Sequence, residues 1–269
     1  MYNEFYGFRE SPFNITPDPR FLFLSDRHRE AFNHILYGIR ERKGFIQITG
    51  EVGAGKTTVC RAILEELGPN VRTALILNPV LTSTQLLRAI LSELGLEARN
   101  DKVACLHVLN QFLLDQLAAG HDVVLFIDEA QDLDFELLEQ VRLLSNLETD
   151  QRKLLQIVLL GQPELREKLD AARLRQLRQR IIVRYHLAPL SRPEVERYIQ
   201  HRIQVAGGNG LPTFNGWALR SIYRYSGGVP RLVNAVCDKA LLCGYVTGDD
   251  HLTWSHVRRA IRELEGEIG

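Results

Sequence analysis

The sequence predicts an α/β domain with a parallel sheet, followed by a small all-helical domain. Two patterns support this fold class. From about residue 26 onward, short apolar stretches alternate with amphipathic helical stretches, and beyond Pro189 only helical patterns are convincing. Strands that alternate with helices favour a parallel sheet. We therefore place an α/β domain at residues 1–188 and a helical domain at residues 189–269.

The predicted strands are continuous apolar runs, which is typical of parallel strands covered on both faces. We place them at residues 45–49, 73–78, 123–127, 155–160 and 181–183. Amphipathic stretches predict helices at about residues 26–43, 56–67, 84–94, 103–118 and 135–147. In the helical domain, a capping box at Ser191 and Glu194 opens a helix that runs to about residue 205. Further helices follow at about residues 215–225, 230–243 and 253–265.

The strongest motif is Gly-x-x-x-x-Gly-Lys-Thr, which lies between the first predicted strand and a helix. A polyphosphate needs several backbone N–H groups that converge on one point, and glycines let the chain wrap closely enough to supply them. The helix that starts at Lys56 adds its positive end. Lys56 can reach the β- and γ-phosphates, and the Thr57 hydroxyl can bind Mg²⁺. The motif predicts a nucleoside triphosphate site formed by Gly50, Glu51, Val52, Gly53, Ala54, Gly55, Lys56, Thr57 and Thr58.

Two carboxylates, Asp128 and Glu129, follow the third predicted strand. The carboxyl ends of the strands are where an open α/β sheet binds its ligands. We predict that Asp128 holds Mg²⁺, directly or through water, and that Glu129 polarises the attacking water. The second acid argues against a simple kinase, because hydrolysis needs a group that activates water. The sequence has no Asn-Lys-x-Asp guanine motif, which favours ATP.

Gln162 follows the fourth predicted strand. Its amide could orient the same water or contact the γ-phosphate. A polar strand end without a function is the open alternative.

One stretch between Ala171 and Tyr185 contains five arginines and no acidic residue. A solvated basic face, a nucleic-acid patch and an arginine finger all fit it. A guanidinium can spread over two of the equatorial oxygens that gain charge during hydrolysis. We choose Arg180 as the finger because it directly precedes the last strand. The five residues are Arg173, Arg175, Arg178, Arg180 and Arg184.

A second arginine of interest opens a helix of the second domain, in the sequence Gly228-Val229-Pro230-Arg231. Proline fits the first helical turn. From this position Arg231 could reach back to the phosphates.

Composition limits the partners and the compartment. The chain has 33 basic and 33 acidic residues, so no net charge draws it to nucleic acid or anionic membrane. The apolar runs fall short of the ~18 residues that a membrane span needs, and the start shows no signal-peptide pattern. The four cysteines lack zinc-like spacing and suit buried free thiols in a reducing compartment. We expect a cytoplasmic protein, with peripheral attachment to the inner membrane through a partner as the alternative.

Residues 1–25 combine aromatic residues with prolines at Pro12, Pro17 and Pro19. The prolines disfavour a helix and the aromatics disfavour a free tail. We expect an extended segment across the α/β domain. It could simply cover the core, or it could wall the nucleotide base.

Together these segments resemble the AAA+ ATPase superfamily. Gly50–Thr57 resembles Walker A and Val123–Glu129 resembles Walker B, while Gln162, Arg180 and Arg231 fall at the sensor-1, arginine-finger and sensor-2 positions. More closely, the chain is similar to the ExeA/GspA and MshM type, including related ATPases of exopolysaccharide and protein-sorting loci. The segments that carry this resemblance are residues 6–13, 16–21, 50–57, 128–131 and 161–165.

The resemblance implies a Mg²⁺-dependent ATPase that assists assembly of a secretion, pilus or polysaccharide-export machine in the bacterial envelope. It also implies a homo-oligomer, a ring or a filament, with ATP sites shared between subunits. ExeA-type proteins continue into a transmembrane helix and a peptidoglycan-binding domain, whereas this sequence ends at Gly269, so we carry over no membrane or wall attachment.

Two other functions stay open at this point. One is a DNA-dependent regulator of transposition or replication type, which the arginine stretch supports. The other is a nucleotide-gated scaffold with negligible hydrolysis, against which Glu129 and Arg180 weigh. We favour the ATPase.

Overall fold

The computed structural model describes residues 2–14, 18–149 and 152–267, and the chain divides into two compact units. The helical unit comprises Met1–His28, Glu51–Thr58 and Ala188–Gly269. The α/β unit comprises Arg29–Gly50 and Val59–Leu187. Each unit has its own cluster of buried apolar side chains. The expected division into domains at residues 188 and 189 stays a prediction.

The α/β unit contains a five-stranded parallel sheet in the order β2–β3–β4–β1–β5, which confirms the predicted fold class. Every residue of the inner strands β1 and β4 is buried, as their apolar sequences require. The edge strand β5 is longer than the predicted segment 181–183. After its apolar start, exposed side chains alternate with buried ones, so no continuous apolar run marks the rest of the strand in the sequence. The strands are β1 (Phe45–Gly50), β2 (Val71–Ile76), β3 (Asp122–Ile127), β4 (Gln156–Gly161) and β5 (Ile181–Leu187).

Side-chain caps fix where several helices begin. The Asp101 carboxylate accepts from the Ala104 amide at 2.9 Å, and the Asp134 carboxylate accepts from the Leu137 amide at 2.7 Å. The helices after the short N-terminal α1 (Tyr2–Tyr6) are α2 (Asp26–Arg40), α3 (Lys56–Glu66), α4 (Ser83–Glu93), α5 (Lys102–Ala118), α6 (Phe135–Leu144), α7 (Pro163–Asp170) and α8 (Arg175–Arg180).

Four helices of the helical unit follow β5. The predicted capping box forms, since the Glu194 carboxylate accepts from both the amide and the hydroxyl of Ser191. A pair of two-residue parallel strands also lies here, which the sequence does not predict because two residues carry no periodic pattern. The elements are α9 (Arg192–Val205), β6 (Thr213–Phe214), α10 (Gly216–Ser226), α11 (Pro230–Thr247), β7 (His251–Leu252) and α12 (Trp254–Leu264).

The N-terminal segment differs from its expected place. It packs among the C-terminal helices within the helical unit, where Tyr6, Phe8 and Phe13 are buried. The Tyr6 hydroxyl donates to the Leu241 carbonyl at 3.1 Å, and Arg202 donates to backbone carbonyls of the segment. Its aromatic side chains fill the core of this unit, and α1 forms because it precedes the first proline. Thr16 and Pro17 lie outside the described residues, and contact with the base stays a prediction.

All four cysteines are buried and free, as predicted. Within residues 2–14, 18–149 and 152–267, no helix has the length and apolar character that crossing a bilayer requires.

Candidate functional site

The ends of the inner strands bring predicted residues to one edge of the sheet. In the parallel register Thr49 pairs with Gly161, and Ile127 pairs with Leu159. Parallel strands that are paired in this way end at the same edge. Gln162 therefore follows β4 at the edge where β1 ends, and Asp128 follows β3 there.

Directly after β1, the chain forms the predicted phosphate loop, residues 51–55. Gly53 and Gly55 have φ values of 79° and 97°, which residues other than glycine rarely adopt. Helix α3 begins immediately afterwards at Lys56. A tight glycine loop that leads into a helix start turns backbone N–H groups toward an anion.

Lys56 is only 5% exposed, although it carries a charge. Its Nζ donates to the carbonyl oxygen of Glu51 at 3.1 Å, so the side chain folds back along the loop that it follows. A buried ammonium group is costly without partners. The lysine is therefore held at the loop and not in bulk water.

The loop has a second support that the sequence does not predict. His28 is buried, and its Nε2 lies 3.1 Å from the Ala54 carbonyl oxygen. A carbonyl only accepts, so Nε2 donates, and Nδ1 then accepts from the Ser25 hydroxyl at 2.7 Å. Burial lowers the pKa of His28, which keeps this neutral tautomer. No sequence signal marks the histidine, because 26 positions separate it from Ala54.

Arg231 lies against the same loop. A Cβ atom on Gly53 would stand 2.6 Å from the Cβ atom of Arg231, so no side chain larger than hydrogen fits at position 53. Arg231 follows Pro230 in the first turn of α11, as predicted, and it is exposed. The turn before it needs Gly228, where a Cβ atom would clash with the carbonyl oxygen of Leu190. The helical unit thus holds the arginine and the loop side by side.

In the α/β unit, the acidic pair has an unusual backbone. Asp128 is 3% exposed, and one of its carboxylate oxygens accepts from the Glu129 amide at 2.9 Å. Glu129 has φ 50° and ψ 38°, the left-handed region that costs energy for a residue with a side chain. Such strain collects at functional sites. Burial, together with the charge of Asp128, raises the pKa of the Cys60 thiol to about 12, so this neighbour stays neutral.

The Glu129 carboxylate is held by two amides. Its Oε2 accepts from Gln131 Nε2 at 2.9 Å and from Gln162 Nε2 at 3.3 Å. The structure therefore brings Glu129 and Gln162 together, as the sequence leads us to expect, and adds Gln131. The catalytic roles of these residues remain predictions.

Arg180 contacts a different part of the α/β unit. Its guanidinium donates to the Ser145 hydroxyl at 2.6 Å and to the Asn146 side-chain oxygen at 2.5 Å, directly after α6 ends. Arg178 forms an ion pair with Asp170 at 3.3 Å. Arg180 is half-buried, and its role in a neighbouring subunit stays a prediction.

Each unit offers groups with a distinct chemistry. The loop, Lys56 and Arg231 offer N–H groups and positive charge, which suit a polyphosphate. Asp128 offers a buried hard oxygen ligand, and Glu129 offers a positioned carboxylate that can accept a proton.

Comparison with known proteins agrees with this chemistry. Residues 39–169 match the family described as AAA domain. General secretion pathway protein A of Aeromonas hydrophila is 47% identical over 270 residues, which covers 99% of this chain and 49% of that protein. The chain thus spans about half the length of the curated relative that it matches.

Two solved structures show the same fold at low identity. The Aeropyrum pernix ORC2 protein in its ADPNP-ADP complexes is 18% identical with a TM-score of 0.68, over 95% of this chain and 72% of that chain. Drosophila ORC bound to DNA is 18% identical with a TM-score of 0.71, over 94% of this chain and 64% of that chain. Residues 39–169 thus match an AAA domain, 99% of this chain is similar to about half of general secretion pathway protein A, and the fold is that of the two solved structures.

Proposed function

We propose that this protein binds and hydrolyses ATP with Mg²⁺, and that it uses this reaction to assist assembly of a secretion, pilus or polysaccharide-export machine. The observation that carries the proposal is the phosphate loop, with its two left-handed glycines, its buried lysine and its helix start at Lys56. Few ligands other than a polyphosphate need so many converging donors.

Residues 50–58 bind the phosphates in this proposal, and Lys56 contacts the β- and γ-phosphates. Thr57 and Asp128 hold Mg²⁺, for which a hydroxyl and a buried carboxylate are suitable hard oxygen donors. When bound, Mg²⁺ neutralises negative charge on the phosphate oxygens. Arg231 adds a cation beside the loop, which fits its contact with Gly53.

Glu129 acts as the general base in the proposed reaction. Its carboxylate accepts a proton from the attacking water, and the two amides that contact it fix its direction. Gln162 orients the same water or contacts the γ-phosphate. Arg180 stabilises the charge on the transferred phosphoryl group, from a neighbouring subunit of a homo-oligomer.

The role in an envelope machine is supported by the similarity to general secretion pathway protein A, whose name places it in a secretion pathway. The similarity extends over 99% of this chain, a range that contains the loop and both carboxylates. A cytoplasmic protein that attaches to the inner membrane through a partner is the corresponding proposal for its location.

A DNA-dependent regulator is the second candidate. The exposed side chains of Arg173 and Arg175 favour it, since basic side chains of this kind contact phosphates of nucleic acid. A Drosophila ORC of similar fold is solved in complex with DNA, although that likeness concerns the fold alone.

Steady-state ATPase activity separates these functions. We expect hydrolysis by the protein alone, with specific activity that rises with protein concentration, and further stimulation by extracts that contain the envelope machine. Stimulation by DNA and not by the extract would favour the regulator. ATP binding without measurable hydrolysis under any of these conditions would favour a nucleotide-gated scaffold.

A further inference from the structure

Gln131 connects the ends of two neighbouring strands in the α/β unit. Its Nε2 donates to Glu129 Oε2 at 2.9 Å, and its Oε1 accepts from the backbone amide of Gln162 at 3.0 Å. We propose that Gln131 is a positioning residue, which sets the direction of the Glu129 carboxylate. This inference rests on the proposed function, in which Glu129 is the general base.

The orientation of the amide is determined by its partners. A backbone N–H can only donate, so Gln131 must present its oxygen to Gln162. An ionised carboxylate can only accept, so the amide nitrogen faces Glu129. The Gln131 side chain therefore forms a hydrogen bond at the end of each strand. A flipped amide would place its N–H group against the Gln162 N–H group and its oxygen against the Glu129 carboxylate.

The surroundings leave little freedom to Gln131. A Cβ atom on Gly161 would stand 3.0 Å from Gln131 Oε1 and 2.8 Å from Leu165 Cδ2, so the absence of a side chain at position 161 gives the amide its place. On the backbone side, Lys168 Nζ donates to the carbonyls of Gln131 at 2.5 Å and Leu133 at 2.8 Å. Both ends of the residue are fixed.

Glu129 needs such support because its own backbone lies in the left-handed region. A strained conformation persists only where neighbouring groups hold it. The bond from Gln131 is shorter than the bond from Gln162 to the same oxygen, 2.9 Å against 3.3 Å. Gln131 is therefore the better placed donor to the Glu129 carboxylate.

The isosteric change Gln131→Glu separates positioning from structure. The new carboxylate can still accept from the Gln162 amide, but it places a negative charge where Glu129 received a donor. Two facing carboxylates repel each other, so the Glu129 carboxylate would turn away from its position. We expect kcat at pH 7 to fall at least about tenfold while KM for ATP stays within about twofold.

Gln111→Glu is the matched control. Gln111 Nε2 donates to the Asp115 carboxylate at 2.9 Å on an exposed helix surface, so the same substitution creates the same pair of carboxylates away from the strand ends. We expect the wild-type kcat and KM from it. Gln131→Met, which has similar length and no donor, provides a second variant if Gln131→Glu does not fold. It should lower kcat at unchanged KM.

The outcomes distinguish this inference from the proposed function. If the wild type hydrolyses ATP, Glu129→Gln does not, and both Gln131 variants keep the wild-type kcat, the role of Gln131 is refuted while the ATPase stands. A wild type without hydrolysis would overturn both.

Discussion

The imidazole of His28 donates from Nε2 to the carbonyl oxygen of Ala54 across 3.1 Å and so ties the start of α2 to the phosphate loop. A loop that binds a polyphosphate must hold its backbone N–H groups in place before the ligand arrives. His28 fixes one peptide of that loop, and Ser25 fixes His28 in turn.

We expect His28→Phe to weaken ATP binding about tenfold, which corresponds to 1.4 kcal/mol. The ring volume is kept, but the Ala54 carbonyl loses its donor, and a buried acceptor without a partner costs about 1–3 kcal/mol. Binding of a fluorescent ATP analogue measures the effect. His34→Phe is the control, because this exposed histidine of α2 pairs with Glu30 and not with the loop. Equal affinities for ATP in the two variants would show that His28 does not support the phosphate loop.

His28 also predicts a dependence of stability on pH. Burial lowers its pKa in the folded state below the ordinary value of 6.5, so the unfolded chain binds more protons as the pH falls. The stability that His28 contributes is present above pH 6.5 and is lost as the pH falls toward the lower folded value. Thermal unfolding should therefore show a larger drop in Tm between pH 7.5 and 5.5 for the wild type than for His28→Phe. Identical drops would contradict this.

Much of the fold is visible in the sequence, because continuous apolar runs define inner parallel strands such as β1 and β4. The edge strand β5 is only partly visible, since its exposed positions break the apolar run. The N-terminal segment could not be placed from its aromatic residues, which indicate burial but not the core that they fill.

The candidate site can likewise be predicted from the sequence only in part. Local motifs identify Lys56, Asp128 and Glu129, because their chemistry depends on neighbours in sequence. His28 and Gln131 act through residues that only the folded chain brings near, Ala54 and Gln162. The contacts of Arg180 with Ser145 and Asn146 depend on the end of α6, which the sequence predicts three residues too late.

Arg231→Ala should leave ATP bound to the loop but uncouple α10 and α11 from it. The side chain lies beside Gly53 at the first turn of α11, so a bound phosphate would attract it. In the wild type, ATP should slow trypsin cleavage within α10 and α11, and in Arg231→Ala it should not. Arg220→Ala, which removes an exposed arginine of α10, serves as control. Full protection in the Arg231 variant would exclude it from ATP recognition.

Arg180→Ala distinguishes a role in a neighbouring subunit from a structural one. As a finger, Arg180 should supply about 10³- to 10⁵-fold in rate, and its loss should leave ATP binding unchanged. Mixing this variant with Lys56→Ala subunits, which still offer Arg180, should restore part of the activity. Asn146→Ala removes one partner of Arg180 and keeps the arginine. If Arg180→Ala and Asn146→Ala both lower Tm but keep the wild-type rate of ATP hydrolysis, Arg180 only stabilises the end of α6.

The most direct test of the account is the hydrolysis rate of Glu129→Gln, measured with ATP affinity in the same preparation. The amide keeps the shape of the side chain but cannot accept the proton of the attacking water. General-base catalysis contributes about 10²- to 10⁴-fold, so we expect kcat to fall at least about 100-fold while the Kd for ATP stays within about threefold. Glu136→Gln, at an exposed acid in the first turn of α6, should hydrolyse ATP at the wild-type rate. Wild-type hydrolysis by Glu129→Gln would show that Glu129 is not the general base.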